Sequence, residues 1–399
     1  MASAPASGAG GRRFKSGIPD QFSTMFRHSP VALREKLQHI LQLADVEVGG
    51  SRPWDILIHN DRFYQRVLAQ GSLGLGESYM DGWWDCEQID EMITKILKAE
   101  LDKKVRPHTI IFDYLKARLF NQQTRRRAYV VGEKHYDIGN DLYERMLGKR
   151  LVYTCGYWQE ARDLDEAQEA KLDLVCRKLK LRRGQRILDI GCGWGSFARF
   201  ATEKYGVSVV GITISKEQVE LGRKLCHGLP VEIRLEDYRN VEGRFDHIVS
   251  LGMIEHVGYK NYRTYMEVVR RCLKDPGLFL LQTIGGNCSV VYTDPWMERY
   301  IFPNSLLPTM KELSKAFDEL FVVEDWHNFG IFYDKTLMSW FTNFDRSWPK
   351  LRGRYGDRFY RMWKYYLLSC AGAFRSRSIQ LWQIVLSKKG VQGGYESVR

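Results

Sequence analysis

A chain of 399 residues with 44% hydrophobic and 27% charged side chains has room for a large core and for two domains. Its formal net charge of +12, with basic clusters at 103–106, 125–127 and 350–361, calls for an anionic partner; without a zinc-finger spacing or an RNP-like motif, that partner is lipid headgroups, with no nucleic acid expected. The 8 scattered cysteines form no C-x-x-C pair, which argues against a structural metal and a disulfide framework and for a reducing, cytoplasmic setting; no apolar run reaches the roughly 20 residues that span a bilayer.

Residues 1–18, rich in Ala, Ser and Gly and lacking the apolar centre of a secretory signal, are expected to be a disordered tail. Residues 19–118 read as a smaller, mainly helical domain. A helix starts at Pro30 with Ser29 as its cap. The stretch 70–79, punctuated by Gly71, Gly74 and Gly76, reads as a turn region. A basic linker is expected over 119–127. From 128 to 399 short apolar strands alternate with amphipathic helices. Strands are expected at 186–190, 207–212, 231–235, 247–251, 278–282 and 379–386, and helices at 216–225 and 262–273. Apolar strands separated by helices predict an α/β domain: a doubly wound, mostly parallel sheet covered on both faces.

The first of these strands runs Ile187-Leu188-Asp189-Ile190 into Gly191-Cys192-Gly193-Trp194-Gly195. A pyrophosphate fingerprint needs its third glycine three residues after the second, and Gly195 comes too early. The segment instead resembles the first motif of the class I methyltransferases, which use S-adenosylmethionine. That resemblance implies that Asp189 supports the loop and that backbone at Gly191 and Gly193 meets the methionyl part of the cofactor. The next strand ends near Thr213 and Gln218, both able to pair with ribose hydroxyls without adding charge. The third ends at Asp237-Tyr238, an acid for the adenine amine and a ring to stack on it.

Longer stretches carry a closer resemblance. Residues 70–84 (QGSLGLGESYMDGWW), 135–141 (HYDIGND), 252–258 (GMIEHVG) and 370–375 (CAGAFR) are similar to the cyclopropane-fatty-acid synthases, and the likeness extends from about 53 to 387. The amino-terminal match separates the chain from the related mycolic-acid methyltransferases, which lack that domain. The resemblance implies methylene transfer from S-adenosylmethionine to the cis double bond of an unsaturated phospholipid acyl chain. It implies a carbocation, and a bound bicarbonate that takes the proton. The positions it marks are Cys155, Glu255, the backbone of Ile284, Tyr333, and Cys370, with Tyr153 and Thr154 beside the cofactor. Glu255, next to an anion, is expected to have a raised pKa. Cys370 is expected to line the site without reacting, since the chemistry needs no thiol nucleophile. The chain departs from the family pattern at Gln282, where a His is usual; an amide donates a hydrogen bond but does not titrate. The resemblance further implies a peripheral enzyme acting on phospholipids at the membrane surface, and a homodimer. A methyltransferase that stops at a methyl or methylene branch, and an inactive lipid-binding relative, are the alternatives.

Overall fold

The computed structural model describes residues 29–101, 138–290 and 293–399. The expected tail at 1–18, the linker at 119–127, the clusters at 103–106 and 125–127 and the start of the 135–141 stretch lie outside the described residues.

Ser29 caps α1 (Pro30–Gln42), its Oγ accepting from the Ala32 N–H, and Pro30 occupies the first turn where no N–H is missed. A short antiparallel pair, β1 (Leu57–Ile58) with β2 (Trp84–Asp85), brackets α2 (Arg62–Gln70) and α3 (Ser72–Met80). The expected turn at 70–79 is therefore mostly helix, and only Gly71, at φ 57°, turns the chain. Gly74 and Gly76 are there for contact. A Cβ on Gly74 would sit 2.4 Å from the Arg66 carbonyl oxygen, and one on Gly76 2.4 Å from the Trp296 indole. Close approach, which only a missing side chain permits, overrode the turn signal.

The helices α4 (Ile89–Lys98), α5 (Asn140–Met146) and α6 (Leu164–Lys178) follow. The sheet is then built from β3 (Arg186–Ile190), α7 (Ser196–Tyr205), β4 (Ser208–Thr213), α8 (Lys216–Leu225), β5 (Val231–Leu235), β6 (His247–Leu251), α9 (Tyr262–Cys272) and β7 (Leu278–Gly286). After α10 (Pro295–Tyr300) and α11 (Met310–Phe317) come β8 (Val322–Asn328), α12 (Ile331–Tyr355), α13 (Asp357–Arg375) and β9 (Ile379–Ser387). The order is β5-β4-β3-β6-β7-β9-β8, parallel from β5 to β7 and antiparallel at β9 and β8.

Successive strand residues divide between the two faces. Ile187, Val209, Leu280 and Val385 pack with Leu172, Val175 and Phe197 on the α6–α7 side. Their neighbours Leu188, Val210, Leu281 and Ile384 pack with Tyr265, Met266 and Leu313 on the α9–α11 side. The amino-terminal helices belong to a third cluster, in which Leu37, Phe63, Trp84 and Met92 share one core with Trp340, Trp363 and Leu368 of α12 and α13. Arg375 ties the same elements by charge, to Asp334 at 2.9 Å and to Asp90 at 2.7 Å.

Candidate active site

The chain leaves β3 for β4 and β5 on one side and returns to β6 and β7 on the other, so a crevice opens where β3 and β6 end. Here Gly191, Gly193 and Gly195 all hold positive φ, at 83°, 55° and 77°. A Cβ at Gly193 would meet nothing within 4 Å, so the backbone there faces open space. One cavity occupies this crevice. Tyr153, Thr154, Asp189, Gly191, Gly193, Thr213, Gln218, Asp237 and Tyr238 all line it.

Local bonds hold these groups in place. Thr213 donates to Gln218 Oε1 at 2.7 Å, and the Gln218 N–H is capped by Ser215. Asp237 accepts from the Arg239 N–H and guanidinium, both at 3.0 Å, so it is already engaged within its own turn. Tyr238 packs edge-on against Tyr265 with centroids 5.2 Å apart. Asp189 is 2% exposed, and burial pushes its carboxyl up to about 7 against the opposing pull of the Lys171 charge.

A second group begins one residue beyond two lining residues: Cys155 follows Thr154, and Glu255 precedes His256. Glu255, in the 3-10 turn Ile254–His256, accepts the Ile284 N–H at 2.8 Å through Oε1, while Oε2 has no hydrogen-bond partner among the described residues. Burial raises its carboxyl to about 7, with the Ile284 N–H working against the shift; the raised value expected from a neighbouring anion is already present from desolvation. Gln282 points inward on β7, 1% exposed, its Oε1 accepting from Gln383 Nε2 at 3.0 Å and its own Nε2 unpartnered. Burial drives the phenol of Tyr333, near the start of α12, well above its ordinary value, and Cys155, Glu255, Tyr153 and Cys370 surround it closely enough to add to the shift.

Aromatic rings close this space. Tyr333 stacks on Phe374 at 4.4 Å and meets Trp340 at 6.1 Å, while Tyr153 lies 5.3 Å from Trp340 and bonds Tyr366 hydroxyl to hydroxyl at 2.9 Å. Cys155 is fully buried and its thiol is pushed far up by desolvation. Cys370 is half-buried on α13, with its thiol raised to about 12 by burial and by Asp294, so neither cysteine supplies a thiolate near neutral pH. None of Cys155, Glu255, Gln282, Ile284, Tyr333 and Cys370 lines the glycine-loop cavity itself.

Sequence reasoning missed three anchoring residues. Thr336 Oγ1, one turn after Tyr333, accepts from Gly156 N and Trp158 Nε1 and so holds the Cys155 loop. Gln168 and Lys171, on the buried face of α6, bond the carbonyl and the hydroxyl of Thr154 at 2.7 and 3.0 Å. The signal was present: two polar side chains three residues apart interrupt the apolar stripe of Leu164, Ala167, Leu172 and Val175.

With this geometry in hand, comparison with known proteins is specific. The family model described as mycolic acid cyclopropane synthetase matches residues 122–384. The cyclopropane-fatty-acyl-phospholipid synthase of Escherichia coli (strain K12) is 50% identical over 363 residues, 90% of this chain and 94% of that protein. A cyclopropane synthase structure from Mycobacterium tuberculosis aligns with a TM-score of 0.62 at 28% identity, over 65% of this chain and 98% of the other. A mycolic acid cyclopropane synthase complexed with SAH (S-adenosylhomocysteine) and CTAB aligns with a TM-score of 0.62 at 29% identity, again over 65% and 98%. The glycine-loop cavity at the switch point of the sheet and this extent of likeness agree: the chain belongs to the mycolic acid cyclopropane synthetase family, and it is an S-adenosylmethionine-dependent methyltransferase.

Proposed function

We propose that this enzyme converts the cis double bond of an unsaturated phospholipid acyl chain into a cyclopropane ring, with S-adenosylmethionine as donor and bicarbonate as base. The carrying observation is the glycine-loop cavity beside the buried group of Glu255, Tyr333 and Cys155, which Tyr153, itself a lining residue of the cavity, adjoins. The first suits the donor and the second suits a cation that must be kept from water. An alkene is a weak nucleophile and becomes a carbocation on attack, so water has to be excluded and positive charge tolerated. The rings of Tyr153, Trp340 and Tyr333 supply faces that attract a cation. The relative that is 50% identical carries the name of this activity.

Glu255 Oε2, buried and without a hydrogen-bond partner among the described residues, suits a small oxyanion, and Gln282 Nε2, likewise buried and unpartnered among them, is the second donor this proposal assigns to it. Glu255 in its protonated form donates to it, and the Gln282 amide donates without a charge of its own. Bicarbonate, when bound, supplies the base for the proton that leaves the new methyl. Because Gln282 does not titrate, Glu255 alone makes anion binding depend on pH at this pair. Gln282→His is expected to steepen the fall in apparent bicarbonate affinity between pH 6 and 8 by about tenfold, since imidazolium is lost through that range. Activity titrated with bicarbonate at each pH checks this, and no bicarbonate response in either protein would remove the anion from the scheme.

The reading places the enzyme peripherally on the cytoplasmic face of a membrane. Among the described residues no helix is long and apolar enough to cross one. Val31, Leu43 and Leu57 expose 62%, 52% and 57% of their surface on the amino-terminal elements, and the chain carries +12. The test is incubation with S-adenosylmethionine and vesicles of a cis-monounsaturated phospholipid, with and without anionic lipid. The expected product is one CH2 heavier, shows the high-field proton signals of a cyclopropane, and forms faster on anionic vesicles. A heavier product that keeps vinyl protons would establish the branch-forming alternative instead.

A further inference from the structure

Lys171 is a buried amine whose bond to Thr154 uses one of its donors. It has no exposed surface, it lines the cofactor cavity, and its Nζ donates to Thr154 Oγ1 at 3.0 Å. An ammonium has three N–H donors, and leaving a buried one under-used is unfavourable unless a ligand completes the set. Asp189 enters the same cavity from β3 with the opposite charge, and each group acts on the other's titration. Together they place an amine and a carboxyl group in the one cavity. The amino-acid end of S-adenosylmethionine carries a carboxylate and an ammonium.

We propose that Lys171 is a cofactor-binding residue whose ammonium, held by Thr154, recognises the carboxylate at the methionyl end of S-adenosylmethionine. The inference rests on the S-adenosylmethionine reading of the cavity and adds a residue and a ligand atom to it. Desolvation lowers the Lys171 ammonium to about 7. The groups facing it are Asp189, Cys155 and Cys176, and those around Asp189 are Lys171, Cys192, Cys226 and Tyr265. Burial keeps all of these thiols and the phenol protonated, so Lys171 and Asp189 are the groups among them that change charge near neutrality. Desolvation therefore disfavours the Lys171 ammonium near neutrality in the ligand-free protein. A ligand carboxylate restores its charge and draws in a proton.

Calorimetry with S-adenosylhomocysteine and with 5′-methylthioadenosine, which lacks the amino-acid end, separates this role from a structural one. The wild-type enzyme is expected to take up a proton on binding S-adenosylhomocysteine at pH 8, read from buffers of different ionisation enthalpy, and to take up none with methylthioadenosine. Lys171→Met, and Lys171→Gln, which keeps a donor for Thr154, are expected to weaken S-adenosylhomocysteine about 30-fold. They should leave methylthioadenosine unchanged and abolish the proton uptake, with thermal midpoints recorded beside them. Equal weakening of both ligands, no weakening of either, or no proton uptake by the wild type overturns the inference. Failure of the wild type to bind S-adenosylhomocysteine at all would overturn the cofactor reading with it.

Discussion

Glu255→Gln is expected to reduce turnover by about a thousandfold or more and, at pH 8 without bicarbonate, to make the protein more stable than the wild type. The first effect follows from losing the group that faces the anion with a titratable proton. The second follows from linkage. The carboxyl sits at about 7 when folded against 4.5 for its ordinary value, because burial disfavours the charged form. Between those values the unfolded chain ionises while the folded one keeps its proton, so the folded state binds more protons and stability falls as pH rises. The loss is complete above about 7 and absent below 4.5, and amounts to on the order of 3 kcal/mol. Glutamine keeps an oxygen for the Ile284 N–H and carries no charge to desolvate. Denaturant unfolding of both proteins at pH 5 and pH 8 checks this. Other buried acids such as Asp189 contribute equally to both chains and cancel, so an unchanged gap between the two pH values would sink the assignment.

Gly76→Val is expected to destabilise the protein by at least about 3 kcal/mol and to lower soluble yield, although the substitution touches neither ligand site. A Cβ at 76 would lie 2.4 to 2.8 Å from three atoms of the Trp296 ring. That ring is 1% exposed, donates to the Met80 sulfur, and packs at 4.7 Å on Tyr365, so it has no room to move. Gly82→Ala is the control, because a Cβ there meets nothing within 4 Å and only its φ of 73° is strained, at a cost of about 1 kcal/mol. Thermal unfolding of the two variants separates packing from conformation; equal midpoints would show that the Trp296 contact is not limiting.

The parallel half of the sheet was legible because its strands are buried on both faces and so read as unbroken apolar runs. β3, β5 and β6 begin and end where the pattern put them. β8 was not. Its residues, VVEDWHN, are mostly polar, it pairs with β9 alone at the sheet edge, and Val322 and Val323 stay 44% and 42% exposed. An edge strand of that kind owes its existence to its partner more than to its own pattern. The glycines of α3 misled for a related reason, since a glycine chosen for contact and one chosen for φ look alike until the neighbour is in place. In the site, the glycine loop and Glu255 announced themselves through long motifs. Lys171 and Thr336 carried no motif of their own, because each acts through side-chain hydrogen bonds on a loop elsewhere in the sequence.

The core shared by Leu37, Phe63, Trp84, Trp340 and Trp363 bears on how such a chain can evolve. Helices that merely flanked the catalytic sheet could be gained, lost or exchanged as a module. These are instead one wall of the aromatic box that also contains Tyr333 and Tyr153. Substitutions in α1 to α4 are thus expected to disturb the packing of α12 and α13, and in this chain the amino-terminal helices cannot be removed without exposing the apolar face they cover.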